Sequence, residues 1–216
     1  MSREQITCQR CGKCCRQGGP AMHVRDKYLL TKNHLTKNNI LLLRAGEPVI
    51  DNISGGAKLL REEMFKIRGK SESNWECMFF NPENNLCGIY DHRPYQCRIL
   101  KCWDTSEIEA EYNRERLSRK EILDCNSGLW ELILYYEQNC PLSEIIRYCR
   151  ATPHKDPIEL PEVKEKIIFD RDFRQSFVHK TGADAHMTSF YFGRPLEQIL
   201  VLLKRYIKIH RNSSSN

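Results

Sequence analysis

The sequence of 216 residues lacks any long apolar run. Its longest apolar stretches, residues 41–43 and 199–203, are far too short to span a bilayer, so we expect no membrane partner. No apolar segment follows the first residues, Met1–Gln5, and we therefore expect no signal peptide. Internal repeats are missing as well. Together these absences predict a cytoplasmic protein.

Cysteine is the residue type that needs an explanation. The chain has 11 cysteines, a smaller share of its length than the roughly 8–10 % of a secreted disulfide scaffold. It is also long enough to bury a core without disulfide bonds. Cysteines rarely pair in a reducing compartment, so a dense cysteine pattern there indicates metal binding or catalysis.

The positions of the cysteines divide the chain into two parts. Eight of the eleven lie within the first 102 residues. We therefore expect a cysteine-cluster metal-binding domain at residues 1–104 and a helical region, packed on it, at residues 105–216. The expected fold class is α+β and mainly helical, with a small cysteine-rich, metal-bound core that contains a short β-hairpin.

Capping, turn and periodicity signals predict the elements of the first part. Asp26 is the expected N-cap of a helix that reaches Leu35, and Thr36 is the expected N-cap of a second helix that ends before Gly46. The other expected elements are a loop at 50–56, a strand at 64–67, a hairpin formed by 75–80 and 86–90, and a short helix that starts at Pro94 and contains Cys97.

The second part is expected to be helical. Its three cysteines, Cys125, Cys140 and Cys149, are expected to be small buried hydrophobic residues. The predicted helices cover residues 106–123, 129–137, 141–148, 163–180 and the segment from Pro195 onward, with a proline-rich linker at 153–161.

The amino-terminal cysteine run has the spacing of a metal-binding loop. Two cysteines separated by two residues can bind one metal, because a tight turn brings both sulfur atoms to one side. The alternative, an apolar helix face formed by Cys8, Cys11 and Cys15, is disfavoured because the residues between them are polar or glycine. We expect the adjacent side chains of Cys14 and Cys15 to point apart and to serve different metals, or different irons of one cluster.

A second cysteine set, Cys77, Cys87, Cys97 and Cys102, has spacings too long for one local turn. The predicted hairpin supplies the missing closure, because it would place Cys77 and Cys87 on paired strands and lead into the helix that carries Cys97. Trp75 and Trp103 flank this set and are expected to shield it from water.

The motifs Cys8-Gln-Arg-Cys11-Gly-Lys-Cys14-Cys15 and Cys87-Gly-Ile-Tyr90-Asp-His-Arg93-Pro-Tyr-Gln-Cys97 resemble the YkgJ-type cysteine-cluster family. This family is described as a zinc- or iron-chelating domain. The resemblance covers about residues 8–102 and implies an iron–sulfur or zinc site. The implied ligands are Cys8, Cys11, Cys14, Cys15, Cys77, Cys87 and Cys97, with Cys102 matched less closely.

Two other functions stay open from the sequence. Wider relatives of the family include flagellin lysine N-methylases, which would imply a metal- or cluster-dependent methyl transfer or redox reaction. The chain has no G-x-G-x-x-G turn, however, and its nearest glycine pair, Gly55-Gly56, is a weak match. The other alternative is a zinc-stabilised module that binds nucleic acid.

The charge pattern bears on the choice of partner. The chain has 34 basic and 28 acidic residues, a mild excess. Basic residues lie around the amino-terminal cysteines, where they can either contact nucleic acid or balance thiolate charge. We expect the second role and no nucleic-acid partner, which leaves an unidentified protein or small molecule. Arg93 can likewise approach metal-bound sulfur or pair with Asp91, and His92 can act as a ligand or lie exposed in a turn.

Overall fold

A computed structural model describes residues 7–213 of the chain. The structure is 49 % helical and has a few short antiparallel strand pairs, which confirms the predicted mainly helical α+β fold class. Every helix within this range is too short or too polar to span a bilayer. Residues 1–5, on which the prediction about a signal peptide depends, lie outside the described range.

The chain forms two compact units, and each consists of two stretches of sequence. Unit 1 contains the residues up to Leu41 together with Met64–Ile122. Unit 2 contains Leu42–Glu63 together with the residues from Leu123 onward. The domain boundary near residue 104 stays a prediction.

The elements of residues 7–213 follow in chain order. The α-helices are α1 Lys13–Arg16, α2 Lys27–Thr31, α3 Tyr95–Ile99, α4 Ser106–Glu111, α5 Arg119–Ile122, α6 Gly128–Asn139, α7 Leu142–Ala151, α8 Pro161–Thr181, α9 Met187–Tyr191 and α10 Leu196–Ser213. The strands are β1 Ile40–Leu43, β2 Pro48–Ile50, β3 Ala57–Leu59, β4 Met64–Ile67, β5 Phe80–Asn81 and β6 Leu86–Cys87, paired as β1 with β4, β2 with β3 and β5 with β6. Short 3₁₀ turns occupy Val24–Asp26, Lys37–Asn39, Tyr90–His92 and Pro157–Glu159.

The helix predicted after Thr36 is wrong. Thr36 does cap a turn, since its backbone N–H donates to the Asn39 side chain at 2.7 Å, but that turn is the 3₁₀ segment Lys37–Asn39. The four aliphatic residues that follow form β1 and are all buried. A short apolar run that is buried on both faces forms a strand as readily as a helix, and periodicity alone does not separate the two.

The single helix predicted over 106–123 is also wrong, because residues 112–118 interrupt it between α4 and α5. Leu117 in this interval is fully buried. Its N–H donates to the Met22 carbonyl oxygen at 2.9 Å, and its own carbonyl oxygen accepts the Phe65 N–H at 2.8 Å. These long-range backbone hydrogen bonds replace the local ones of a helix.

The core of unit 1 is built around the segment at residues 20–24. This segment lies between β4 and the interval at 115–117, with Met22 N–H donating to the Phe65 carbonyl oxygen at 2.8 Å and Val24 N–H to that of Glu115 at 2.8 Å. Met22, Leu29 and Phe65 are fully inaccessible to solvent. The segment begins five residues after Cys15, so its backbone hydrogen bonds anchor the chain close to the amino-terminal cysteines.

Unit 2 packs α6, α7, α8 and α10 against one another and places β2 against α10. Its interior contains charged residues that the sequence patterns assign to the surface. Tyr136 donates its hydroxyl to Asp170 at 2.6 Å, and Arg174 donates to the same hydroxyl at 2.9 Å. The remaining ion pairs of this buried network are Arg174 with Asp170, Arg44 with Glu137 and Arg194 with Glu47.

The three cysteines of unit 2 have different environments. Cys140 and Cys149 are buried, as predicted, and burial raises the pKa of the Cys149 thiol to about 11. The prediction for Cys125 is wrong, because this residue is exposed. It lies in the turn that precedes α6 rather than within a helix.

Candidate metal centre

The amino-terminal cysteine run turns sharply at Gly12. This residue has φ of 73° and precedes α1, which carries Cys14 and Cys15. A Cβ atom at this position would lie 2.4 Å from Cζ of Phe80, so only glycine allows the run to approach the ring of the β5 residue. Arg16 strengthens the approach, because its guanidinium lies 4.8 Å from the centroid of the same ring.

The sulfur atoms of Cys14 and Cys15 lie 4.0 Å apart, so the prediction that these side chains point apart is wrong. Both residues belong to one helical turn, where successive side chains are about 100° apart rather than on opposite faces. Two sulfur atoms bound to one tetrahedral zinc are separated by about 3.8 Å, given a Zn–S distance of about 2.3 Å. The adjacent pair therefore suits either one metal or two neighbouring irons of a cluster.

The adjacent thiols differ in acidity. The hydrogen bond from the Cys15 thiol lowers the pKa of Cys14 to about 6. The same hydrogen bond raises the pKa of Cys15, with burial acting in the same direction. Cys14 is thus ready to bind a metal as a thiolate near neutral pH, because the thiolate is the ligating form.

Cys77 is tied to the amino-terminal run by its backbone. Its N–H donates to the Cys15 carbonyl oxygen at 2.8 Å, and its side chain is buried. The hairpin itself is confirmed, but the expectation that it pairs Cys77 with Cys87 is wrong, because Phe80 is the residue opposite Cys87. The paired strands are only two residues long, so Cys77 precedes β5 and forms an isolated bridge with Gly69 instead.

Five of the predicted ligands share one electrostatic environment. Burial raises the pKa of Cys97 on α3, and the charges of Cys77, Cys14 and Cys87 raise it further. The pKa of Cys77 is raised first by burial and also by the charges of Cys87 and Cys14. Cys97 and Cys77 in turn contribute to the raised pKa of Cys15. Cys14, Cys15, Cys77, Cys87 and Cys97 of unit 1 thus influence one another electrostatically.

The other three predicted ligands lie at the surface. Cys8, Cys11 and Cys102 are exposed, as is Cys14 of the first group, and none of the eleven cysteines forms a disulfide bond. Cys8 accepts the Arg10 N–H at 3.4 Å. Within residues 7–213, no three or more His, Cys, Asp or Glu side chains converge on a point that could hold a metal ion.

Positive charge stands beside the thiols. Arg93 donates from Nε to the Tyr90 carbonyl oxygen at 2.8 Å, and its guanidinium stacks on the Tyr90 ring with 3.7 Å to the centroid. From there its charge acts to lower the pKa of both Cys14 and Cys97. The structure therefore favours a role for Arg93 beside the cysteine sulfur atoms over an ion pair with Asp91.

The aromatic residues around the second cysteine set are partly exposed. Trp75 is 48 % exposed and Trp103 is 39 % exposed, so a large part of each ring faces solvent, and the shielding of the cysteines by these rings stays a prediction. His92 is exposed and stacks on His34 with ring centroids 3.6 Å apart, which fits the expected turn histidine.

The helix that carries Cys97 is held by two residues that the sequence patterns missed. Asp26 does not cap α2 with its side chain; its carboxylate accepts the Tyr95 N–H at 2.8 Å instead. The side-chain oxygen of Gln96 accepts the Ala21 N–H at 3.0 Å. Each of these pairs is about seventy residues apart in sequence, and no local pattern signals a contact over that distance.

The donor set fits zinc or iron. Thiolates are the ligands of structural zinc sites and of iron–sulfur clusters, and none of the five thiols that influence one another in unit 1 is consumed in a disulfide bond. Arg93 offsets part of the negative charge that such a set accumulates.

The sequence matches the model of a known protein family. A family model named CxxCxxCC, described as a putative zinc- or iron-chelating domain, matches residues 7–116. No curated protein and no solved structure matches the chain.

Proposed function

Because the chain belongs to the CxxCxxCC family of zinc- or iron-chelating domains, we propose that it is a YkgJ-type metal-binding protein whose unit 1 holds zinc or an iron–sulfur centre. The observation that carries this proposal is the 4.0 Å separation of the Cys14 and Cys15 sulfur atoms, together with the effect of the Cys77 and Cys97 charges on the pKa of Cys15. Cys14 and Cys15 lie more than sixty residues before Cys77, Cys87 and Cys97 in sequence, so the electrostatic influence of each group on the other supports a shared site.

The proposed ligand set extends to the exposed cysteines. Cys8 and Cys11 precede α1 and Cys102 follows α3, so each lies within six residues in sequence of a member of the five-thiol group. One zinc takes four ligands, so the full set of eight exceeds a single structural zinc site. Two zinc ions or an iron–sulfur cluster would use more of the thiols.

A bound metal would stabilise unit 1. The thiols repel one another once ionised, and a cation among them removes that repulsion and links the segments that carry them. All-sulfur zinc would be a closed structural site, whereas an iron–sulfur cluster would supply electron transfer.

The test is anaerobic purification followed by elemental analysis and a visible absorption spectrum. Iron with acid-labile sulfide and broad visible absorption indicates a cluster, and zinc in a colourless sample indicates a structural site. Cys97→Ser should lower the metal content, whereas Cys125→Ser, which changes an exposed cysteine of unit 2, should not. A wild-type protein that folds fully without metal and takes up neither metal would overturn the proposal.

We also propose that this protein works in the reducing cytoplasm and does not bind nucleic acid. Two of the arginines near the cysteine run are engaged locally: Arg10 lies over the Tyr90 ring at 4.6 Å, and Arg16 donates to the Cys11 carbonyl oxygen at 3.0 Å. Nucleic-acid binding would appear as retention on DNA or RNA at low salt that falls steeply as salt is added. Such retention would contradict this part of the proposal.

A further inference from the structure

The carboxylate of Asp26 is fully buried in unit 1 and is surrounded by donors. Its Oδ2 accepts the His23 N–H at 2.9 Å, and its Oδ1 accepts the Tyr95 N–H at 2.8 Å. The Arg98 guanidinium lies 3.8 Å from Oδ1. Both oxygens are therefore used to join the segment after the amino-terminal cysteines to the start of α3.

This junction matters because α3 is too short to hold its own position. A helix of five residues, Tyr95–Ile99, gains little stability from its internal hydrogen bonds and depends on tertiary contacts. The Tyr95 N–H is one of the helix-start donors that have no partner within the helix. Asp26 satisfies this donor, and Cys97 follows two residues later.

We propose that Asp26 is a positioning residue of the metal centre: by binding the first N–H of α3, its carboxylate sets the place of the Cys97 sulfur among the other thiols. The inference rests on the proposed metal-binding function. Gln96 acts in the same sense, since its side-chain oxygen accepts the Ala21 N–H and fixes the other side of the same helical turn.

Only a carboxylate suits this position. An asparagine has the same shape, but its NH₂ group would face one of the two backbone N–H donors, His23 or Tyr95. One hydrogen bond would be lost and two donors would oppose each other in a buried place. The first turn of α3 would then move, and Cys97 with it.

The experiment compares Asp26→Asn with Asp170→Asn. Asp170 is a matched control, because it is also a buried aspartate whose carboxylate accepts the N–H at the start of a helix, that of Leu196 at 2.8 Å, but it belongs to unit 2. Zinc affinity is measured by competition with a chromophoric chelator, and unfolding by urea gives the stability of each variant. We expect Asp26→Asn to weaken zinc binding about 10- to 100-fold, the usual effect of removing a residue that orients a metal ligand.

A positioning role has a signature that lost stability does not produce. Asp170→Asn should lower stability and leave the zinc affinity within about twofold, since Asp170 belongs to unit 2 and makes no hydrogen bond to the helix that carries Cys97. In the Cys97→Ser background, Asp26→Asn should weaken zinc binding no further, because the ligand that it orients is already gone. Cobalt(II) added as a probe should show weaker sulfur-to-metal absorption in Asp26→Asn, matching the spectrum of Cys97→Ser.

The outcomes separate the two proposals. Wild-type protein that binds neither zinc nor cobalt overturns the metal-binding function and this inference with it. Wild-type protein that binds while Asp26→Asn binds equally well, or while Asp170→Asn weakens binding as much, overturns the inference alone. If Asp26→Asn does not fold, Gln96→Met decides, since it removes the second anchor of α3 and is expected to reduce affinity in the same way.

Discussion

Replacing Gly12 by alanine tests how the cysteine run meets the hairpin. The added Cβ would lie 2.4 Å from Cζ and 2.6 Å from Cε2 of Phe80, far inside van der Waals contact. Phe80 is only 3 % exposed, so its ring has little room to move away. The backbone of Gly12, with φ of 73°, is also one that alanine adopts at a cost.

Two effects add to give the expected magnitude. The left-handed backbone costs alanine roughly 1–2 kcal/mol. Overfilling a packed site typically costs a further 1–3 kcal/mol or so. We therefore expect Gly12→Ala to lower the free energy of unfolding by about 2–5 kcal/mol. Metal content should fall as well, because Cys11 and Cys14 lie on either side of the displaced residue.

Two other glycines separate these effects. Gly182 has φ of 64° and has no heavy atom within 4 Å of the place that an added Cβ would occupy, so Gly182→Ala measures the backbone cost without a clash. Gly128 lies in the first turn of α6, also has open space around it, and has no positive φ. Gly182→Ala should therefore cost roughly 1–2 kcal/mol, and Gly128→Ala should be neutral or stabilising by up to about 1 kcal/mol.

The assay is urea unfolding followed by tryptophan fluorescence, with Trp75 and Trp103 reporting on unit 1 and Trp130 on unit 2. The reasoning is refuted if Gly12→Ala costs no more than Gly182→Ala, because the close approach to Phe80 would then have no energetic consequence. A double variant that also carries Phe80→Leu should recover part of the loss, since the smaller side chain makes room for the methyl group.

Three further predictions concern other parts of the chain. Tyr136→Phe removes a hydroxyl that bridges a buried carboxylate and a buried guanidinium and should cost about 1–3 kcal/mol in urea unfolding; Tyr135→Phe on the exposed neighbour should change stability by less than about 0.5 kcal/mol. Burial lowers the pKa of His23 from 6.5 to about 4, so the stability that depends on its neutral ring is fully present above pH 6.5 and is lost as the pH falls through 4. Urea unfolding of chelator-treated protein across this pH range should show the loss of stability. A His23→Leu variant whose free energy of unfolding falls with pH as steeply as that of the wild type would contradict this prediction. In metal-free protein at pH 7, iodoacetamide should modify Cys14 well before buried Cys149, as mass spectrometry of the peptides can show, and equal rates would disprove the proposed difference in thiolate content.

Local patterns in the sequence predicted the elements whose signals come from neighbouring residues. The strand at 64–67, the hairpin between Phe80 and Cys87 and the long helices of unit 2 were all found in this way. The patterns failed where a distant segment competes with local structure. The helix expected at 106–123 is broken because Leu117 exchanges backbone hydrogen bonds with Met22 and Phe65.

The sequence by itself determined that the chain belongs to a family of zinc- or iron-chelating domains, because the spacing of the cysteines is a local property that the sequence displays directly. Only the tertiary structure decided that the sulfur atoms of Cys14 and Cys15 lie 4.0 Å apart and that Asp26 and Ala21 bind the helical turn that carries Cys97. The sequence patterns likewise did not predict the charged residues that are buried around Tyr136. The physical reason is the same in each case: desolvation and long-range hydrogen bonds depend on where the chain has folded, not on which residues are adjacent in sequence.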